Sequence, residues 1–168
     1  KNHFSIMMVG GRDLHRTCMF GKNRGEDLPV AITIGVHPAI TIACAFQAKW
    51  GKNELEIANS LLNNKLTLTK CPNTGLLVPS TAEIVMEGKI LRNKTHKEWM
   101  VEMLRTYDMP RPAPVIQIEK LYFRNNPIYH DILSGYTEAR LLMCMPIEAK
   151  LNGIMKKRFP QIKQVILT

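Results

Sequence analysis

Four segments in the middle of the sequence alternate apolar and polar side chains with the two-residue period of a β-strand. They read KLTLTKC, TAEIVMEGKIL, APVIQIEKLYF and PIYHDIL, and the turn signals CPNTG, NKTHK, MPRPAP and RNNP separate them. These strands do not alternate regularly with helices, and neither GxGxxG nor a P-loop motif occurs, which argues against a doubly wound nucleotide-binding fold. The pattern predicts an α+β domain built around a small barrel or sandwich.

Four further elements flank this region. The segment LPVAITIGV (28–36) is almost entirely apolar and rich in β-branched residues, which is typical of a strand buried on both faces. A helix over 53–63 is predicted, with Asn53 as its N-cap and its leucines on one face. A last helix over about 137–159 is expected to be interrupted or bent near Pro146, and QVILT at the end is predicted to be another strand.

Length and composition limit the class of protein. The 168 residues suffice for one domain with its own core, and the first residue, Lys1, indicates a piece of something longer. No apolar run approaches the ~20 residues of a membrane-spanning helix, so a soluble protein is expected. The four cysteines are widely spaced and form no CxxC pair, which predicts reduced core thiols in a cytoplasmic protein and no zinc site.

Basic residues outnumber acidic residues by 23 to 14, which gives a net charge of +9 and an attraction for phosphates, nucleic acid or anionic substrates. The excess is scattered along the chain. Its one tight cluster, KKR at 156–158, lies near the expected end of the last helix, where cations favour the helix dipole. A solvated helix end therefore explains this cluster more simply than a nucleic-acid interface does.

Two pairs of glutamates allow both a structural and a functional interpretation. Glu83 and Glu87 lie an even number of residues apart in one predicted strand and so share a face, which is most simply the solvent face. Glu98 and Glu102 lie four residues apart among bulky apolar side chains in HKEWMVEML. An amphipathic helical turn with two solvated carboxylates explains this second pair, and a catalytic acid pair is the alternative.

Two other positions also allow both a structural and a functional interpretation. His15 lies between Arg12 and Arg16 in GRDLHRT, which makes a basic group that could seat a phosphate or simply form a surface turn. Glu54 falls in the first turn of the predicted helix, where a carboxylate usually serves the helix dipole. Neither position specifies a function alone.

Several fragments, taken in order, resemble the UbiD family of decarboxylases, in particular its central domain. They are GRDLHR, GEDLPVAITIGVHPAI, NELEIANSLL, LTKC, GLLVPSTAEIVMEG, TYD and FRNNPIYHDIL, and they cover almost the whole chain with order and spacing preserved. The resemblance implies a mainly antiparallel split β-barrel, like that of flavin reductases, with a few flanking helices. It implies one domain over 1–168, without the family's N- and C-terminal domains.

The resemblance also implies an activity and its cofactors. UbiD enzymes remove or add CO₂ on aromatic or α,β-unsaturated carboxylic acids with prenylated FMN, whose phosphate is held through Mn²⁺ with a potassium ion nearby. The prenylated ring accepts the electrons left when CO₂ departs, and an acid in a carboxylate-arginine-carboxylate network returns the proton. A flavin prenyltransferase would supply the cofactor, and the remaining family domains or a homo-oligomer would be further partners.

Site residues follow from the same resemblance. Glu54 matches the family's metal-binding glutamate, and His15 looks like its metal- and cofactor-contacting histidine. Glu98 and Glu102 match the acid pair, with Glu102 as the proton donor and Glu98 as its support. The two arginines that flank the histidine, Arg12 and Arg16, would lie near the cofactor.

The sequence departs from the family pattern in two places. The acid loop of the family has Gly-Pro after its first glutamate, whereas EWMVE lacks that dipeptide and is one residue shorter. The family's catalytic arginine and a metal-binding asparagine lie in an N...YR segment upstream of GRDLHR, and these 168 residues contain no such segment. A non-catalytic UbiD-like subunit, or a degenerate scaffold that assembles with partner chains, is therefore the alternative function. The sequence names neither the substrate nor the direction of the reaction.

Overall fold

A computed structural model describes residues 2–167, in which helices and strands are mixed along the chain. In chain order the elements are β1 (His3–Ser5), α1 (Asp13–Asn23), β2 (Leu28–Ile34), α2 (Pro38–Ala45), α3 (Glu54–Leu61), β3 (Leu68–Lys70), β4 (Leu77–Pro79), β5 (Ile84–Glu98), β6 (Arg111–Phe123) and α4 (Thr137–Arg158). The predicted α+β class is confirmed. Among the described residues, no helix is both long and apolar enough to cross a membrane.

The described strands pair in two sheets, and every pairing is antiparallel. Four strands follow the order β1-β6-β5-β2, and β3 pairs with β4 in a separate two-stranded sheet. The β5–β6 ladder is the longest, and its register shifts between Glu87 and Gly88 and again between Ile90 and Thr95. Such bulges bend a strand and increase its twist. These pairings confirm the antiparallel sheet, whereas closure into a split barrel stays a prediction.

The chain divides into two compact units. The first unit contains both sheets and α1, and its buried side chains include Val78, Ile90, Val115 and Ile116. The second unit contains α2, α3 and α4, with the buried residues Ile40, Ala43, Ala58 and Ala139. Each unit thus has an apolar core of its own.

The helix boundaries follow from local capping chemistry. The Asn53 side chain accepts a hydrogen bond from the Leu55 amide at 3.0 Å, which confirms the predicted N-cap. His37 caps α2 in the same way through its Nδ1 and the Ala39 amide, although the sequence analysis did not predict that helix. Helix α4 has the predicted extent and continues through Pro146 without interruption.

Two strand predictions are wrong. PIYHDIL forms no strand, and the Ile128 amide donates instead to Oε2 of Glu83 at 3.3 Å. The described part of QVILT, 164–167, also forms none, and Thr168 lies outside the described residues. Side chains of α4 provide hydrogen-bond partners for the backbone of this segment. Asn152 exchanges two hydrogen bonds with the Val165 backbone, at 2.9 and 3.0 Å. Side-chain partners thus take the place of a neighbouring strand.

Burial differs from prediction at β2 and at the thiols. Strand β2 is mostly half-buried, with Pro29 exposed, because only one edge of it pairs in the sheet. All four cysteines are unpaired, as predicted, but Cys71 alone is fully buried. Cys44 is exposed, so it is not the core thiol that the sequence suggested.

The bulge in β5 leaves no space for a side chain at Gly88, which can be tested by substitution. A Cβ built at this glycine would lie 2.1 Å from the Gln117 carbonyl oxygen on β6. We expect Gly88→Ala to lower the free energy of unfolding by about 1–3 kcal/mol, because the two backbones must separate. The matched control is Gly153→Ala in α4, where nothing lies within 4 Å and alanine favours the helix. Denaturant melts that show equal stability for the two variants would contradict this prediction.

Candidate active site

The segment that carries the two candidate acids leaves the end of the longest strand pair. Glu98 is the last residue of β5 and lies opposite Arg111 of β6. Beyond it, the Glu102 amide donates to the Thr106 carbonyl at 2.8 Å, next to a bridge between Val101 and Tyr107. The predicted helical turn over EWMVE is therefore wrong, because its backbone pairs with the residues that follow in an antiparallel arrangement.

Glu98 and Glu102 line one cavity of about 380 Å³, together with Asp108 and Arg111. Much of the remaining wall is apolar and includes four methionines, Met7, Met8, Met100 and Met109. Methionine side chains are flexible and polarizable, so they adapt to apolar ligands of different shape. The structure thus brings the predicted acid pair to a single, mainly apolar cavity.

The charges around this cavity are held by specific contacts. Oε2 of Glu98 accepts a hydrogen bond from the Ser5 hydroxyl at 2.5 Å. Asp108 forms an ion pair with Arg111 at 3.0 Å and also accepts the Met109 amide at 2.7 Å. Three carboxylates and one guanidinium, which is already paired with Asp108, therefore share the lining of this cavity.

The second group of candidates lies at the start of α1. The surface turn considered for His15 is wrong, because Asp13–Asn23 is helical and Arg12 is its N-cap residue. His15 is half-buried, and its Nδ1 accepts the Gly11 amide at 3.4 Å. It lines a cavity of about 320 Å³ that also includes three basic side chains, Lys22, Arg92 and Lys94. A helix N-terminus with nearby cations suits a phosphate group.

Glu54 begins α3 in the second unit, whereas His15 belongs to the first unit. Although Cys44 is exposed, partial desolvation of its thiol and, second, the negative charge of Glu54 raise its pKa. Among residues 2–167, no three His, Cys, Asp or Glu side chains form a group that could hold a metal ion. Imidazole and carboxylate are suitable donor types for Mn²⁺, but these side chains do not complete its coordination shell.

The prediction that Glu87 lies on a solvent face of its strand is wrong, because this residue is 0% exposed. Its carboxylate accepts hydrogen bonds from the Asn73 amide at 3.2 Å and from the Thr74 amide and hydroxyl, both at 2.6 Å. Burial, the largest single influence, raises the pKa of Glu87, but these bonds and one from Tyr122 together hold it below the ordinary value. Glu87 thus fastens the turn between β3 and β4 to the main sheet.

Sequence reasoning missed three of these contributors. Ser5 carried no signal, because it lies 93 positions from its partner Glu98. Arg111 becomes a neighbour of the acid pair only through the β5–β6 register. Asp108 belongs to the TYD fragment, yet its ion pair with Arg111 depends on the local fold.

The family model that describes the 3-octaprenyl-4-hydroxybenzoate carboxy-lyase Rift-related domain, UbiD, matches residues 1–137. The chain belongs to the UbiD family. The family resemblance drawn from the sequence fragments is thereby confirmed.

Individual UbiD relatives agree with this membership. Anhydromevalonate phosphate decarboxylase of Methanocaldococcus jannaschii is 38% identical over 169 residues, which are 99% of this chain and 39% of that protein. Phenolic acid decarboxylase of Escherichia coli O157:H7 is 34% identical over 172 residues, 98% of this chain and 35% of that protein. The chain thus spans less than two fifths of the length of these curated relatives.

Solved UbiD-class structures have the same fold. An evolved dimeric form of the enzyme HmfF from Pelotomaculum thermopropionicum, in complex with prFMN, superposes with a TM-score of 0.96. It is 35% identical and covers 99% of this chain and 39% of its own. Apo 3,4-dihydroxybenzoic acid decarboxylase from Klebsiella pneumoniae has a TM-score of 0.87 at 26% identity and covers 98% of this chain and 36% of its own.

Proposed function

We propose that this chain is the central, cofactor-binding part of a UbiD-type decarboxylase or carboxylase that acts on aromatic or α,β-unsaturated carboxylic acids. The observation that carries the proposal is the shared cavity of Glu98 and Glu102, in a chain whose structural relative binds prFMN. Relatives named as decarboxylases support the reaction class. The flavin-reductase-like split barrel is part of this proposal.

When bound, prenylated FMN would supply a sink for the electrons left as CO₂ departs. The acid pair would perform the proton transfer: Glu102 donates a proton to the carbon that has lost CO₂, and Glu98 supports it from the same cavity. The Glu102 amide is held by the Thr106 carbonyl, which limits movement of the donor's backbone.

The phosphate end of the cofactor would lie at the start of α1, held by Arg12, His15 and Arg16. His15 and Glu54 are proposed as two Mn²⁺ ligands, with phosphate oxygens and groups outside this chain as the others. A potassium ion would lie nearby. The helix N-terminus and the basic side chains of the His15 cavity support the phosphate assignment.

The proposed partners follow from family membership. A flavin prenyltransferase would supply the cofactor, and the remaining family domains or a homo-oligomer would complete the site. We place the protein in the cytoplasm, and its unpaired thiols are consistent with a reducing compartment. The excess of basic charge is scattered along the chain, which disfavours a nucleic-acid interface.

The test is to express the full-length protein together with a flavin prenyltransferase and to measure prenylated FMN and Mn²⁺ by mass spectrometry and metal analysis. Purified protein is then offered anhydromevalonate phosphate, 3,4-dihydroxybenzoic acid and phenolic acids. Bound cofactor and release of CO₂ from one of these acids are expected. Full-length protein without the cofactor would contradict the enzyme proposal.

A non-catalytic UbiD-like subunit, or a degenerate scaffold that assembles with partner chains, is the second candidate. The shortened EWMVE segment favours it, because the donor's position must be correct to well under about 1 Å for efficient proton transfer. Protein that binds partner chains, carries no cofactor and releases no CO₂ would support this candidate.

Metal occupancy tests the Glu54 assignment separately. We expect Glu54→Gln to weaken Mn²⁺ binding by roughly tenfold or more, because even the loss of an outer-shell partner has effects of that size. Glu56→Gln, in the same first turn of α3, is the comparison variant. If occupancy survives in Glu54→Gln and falls in Glu56→Gln, the ligand lies two positions further along the helix.

A further inference from the structure

Ser5 and Glu98 form a direct contact between distant parts of the chain. The hydroxyl of Ser5, the last residue of β1, donates to Oε2 of Glu98 at 2.5 Å. Both residues are half-buried and line a cavity of about 670 Å³. The distance is typical of a short, charge-assisted bond between a hydroxyl and a carboxylate.

This bond joins two residues that do not lie opposite each other in the sheet. Strand β6 lies between β1 and β5, and Ser5 pairs with Val115 of β6 whereas Glu98 pairs with Arg111, four residues away. The tertiary fold, rather than strand pairing, therefore brings the two side chains together. A glutamate fixed in this way has lost rotamer freedom before any substrate arrives, which preorganises the carboxylate.

We propose that Ser5 is a positioning residue for proton return, which holds Glu98 where it supports the donor Glu102. This inference rests on the proposed decarboxylase function. In that reaction the bond between carbon and CO₂ breaks and a C–H bond forms. The electron pair stays with the substrate carbon, the proton comes from Glu102, and solvent then reprotonates Glu102. Ser5 itself touches no reacting atom.

A purely structural role for the bond is the competing explanation, because the same contact also ties β1 to the sheet. Asn2 provides a matched control, since its side-chain amide ties the other end of β1 to the Ile118 carbonyl at 2.6 Å without touching Glu98. The test compares Ser5→Ala, Ser5→Cys, Ser5→Thr and Asn2→Ala in the full-length protein loaded with cofactor. Cysteine keeps the size of serine but is a weak donor, and threonine keeps the hydroxyl.

The readouts are kcat, cofactor occupancy and the solvent deuterium isotope effect on kcat. The acid for these measurements is the one that the wild type decarboxylates among anhydromevalonate phosphate, 3,4-dihydroxybenzoic acid and the phenolic acids. We expect Ser5→Ala and Ser5→Cys to lower kcat by about tenfold with unchanged occupancy, as for loss of a hydrogen bond to a charged group. The isotope effect should rise in both variants, because proton return becomes the slow step. Ser5→Thr and Asn2→Ala should keep the wild-type isotope effect.

The possible outcomes separate this inference from the proposed function. An active wild type with unchanged kcat in Ser5→Ala and Ser5→Cys would overturn the role of Ser5 and leave the enzyme proposal intact. Lower stability or occupancy with an unchanged isotope effect would show that the bond is only a tether, and would also overturn it. A fully loaded wild type that releases no CO₂ from any of these acids would overturn both.

Discussion

Replacing Glu102 with glutamine should slow decarboxylation by about 10²- to 10⁴-fold, the range that a general acid contributes. Glutamine keeps the size of the side chain and its place on the cavity shared with Glu98, but it has no acidic proton to give to carbon. The measurement is kcat of the full-length protein, loaded with prenylated FMN, on an acid that the wild type decarboxylates. Cofactor content must be equal in the two proteins, so that a loss of rate reports chemistry rather than binding.

The control for this variant is Glu119→Gln, which changes an exposed carboxylate of β6 that lies outside the cavity. It should keep the wild-type rate. If Glu102→Gln is as active as this control, Glu102 is not the proton donor. The non-catalytic scaffold would then become the better account of the shortened EWMVE segment.

Replacing Glu87 with glutamine should have the largest effect on stability, a loss of about 3 kcal/mol. The native carboxylate accepts hydrogen bonds from the backbone amides of Asn73 and Thr74 and from the Thr74 hydroxyl. The side-chain NH₂ group of glutamine would face an N–H or O–H donor of the turn instead of accepting from it. At least one of these buried donors would then have no acceptor. Native-state hydrogen exchange at the Asn73 and Thr74 amides measures this local opening directly.

The pH dependence of that opening provides an independent check. Because the pKa of Glu87 is held below its ordinary value of 4.5, the carboxylate stabilises the fold above that pH. The stabilisation should disappear as the pH falls through the lowered pKa of the folded state. Glu87→Gln should lose this contribution and keep only the pH dependence that comes from Glu119, whose pKa is lowered by a hydrogen bond from the Asn73 side chain. A wild-type opening free energy that is constant below pH 4.5 would contradict this role.

The regular elements could be predicted to different extents. The two-residue alternation identified β6 and the first part of β5, and the asparagine at position 53 identified the start of α3, because both signals are local. The turn predicted at NKTHK, 93–97, is wrong, because β5 continues through it to Glu98. PIYHDIL shows the same alternation but has no neighbouring strand, and its Ile128 amide bonds to Glu83 instead. Periodicity shows what a segment could do, whereas pairing depends on which partners the fold places beside it.

The candidate site was predictable only as a set of residues. Fragments matched to a family located Glu98 and Glu102, and the structure brings both to one cavity. Local spacing, however, predicted a helical turn there, because positions four apart share a helix face. The antiparallel bridge between Val101 and Tyr107 overrides that preference.

The amino-acid sequence by itself determined the family, the α+β class and the identity of the candidate acids, since these depend on motifs and on periodicities within a few residues. Only the tertiary structure decided the burial of Glu87, the ion pair of Asp108 with Arg111 and the bond from Ser5 to Glu98. The physical reason is that burial and hydrogen bonding depend on which groups meet in space. Strand register and the bulges of β5 decide which side chains come into contact, and neither is encoded in any short stretch of the chain.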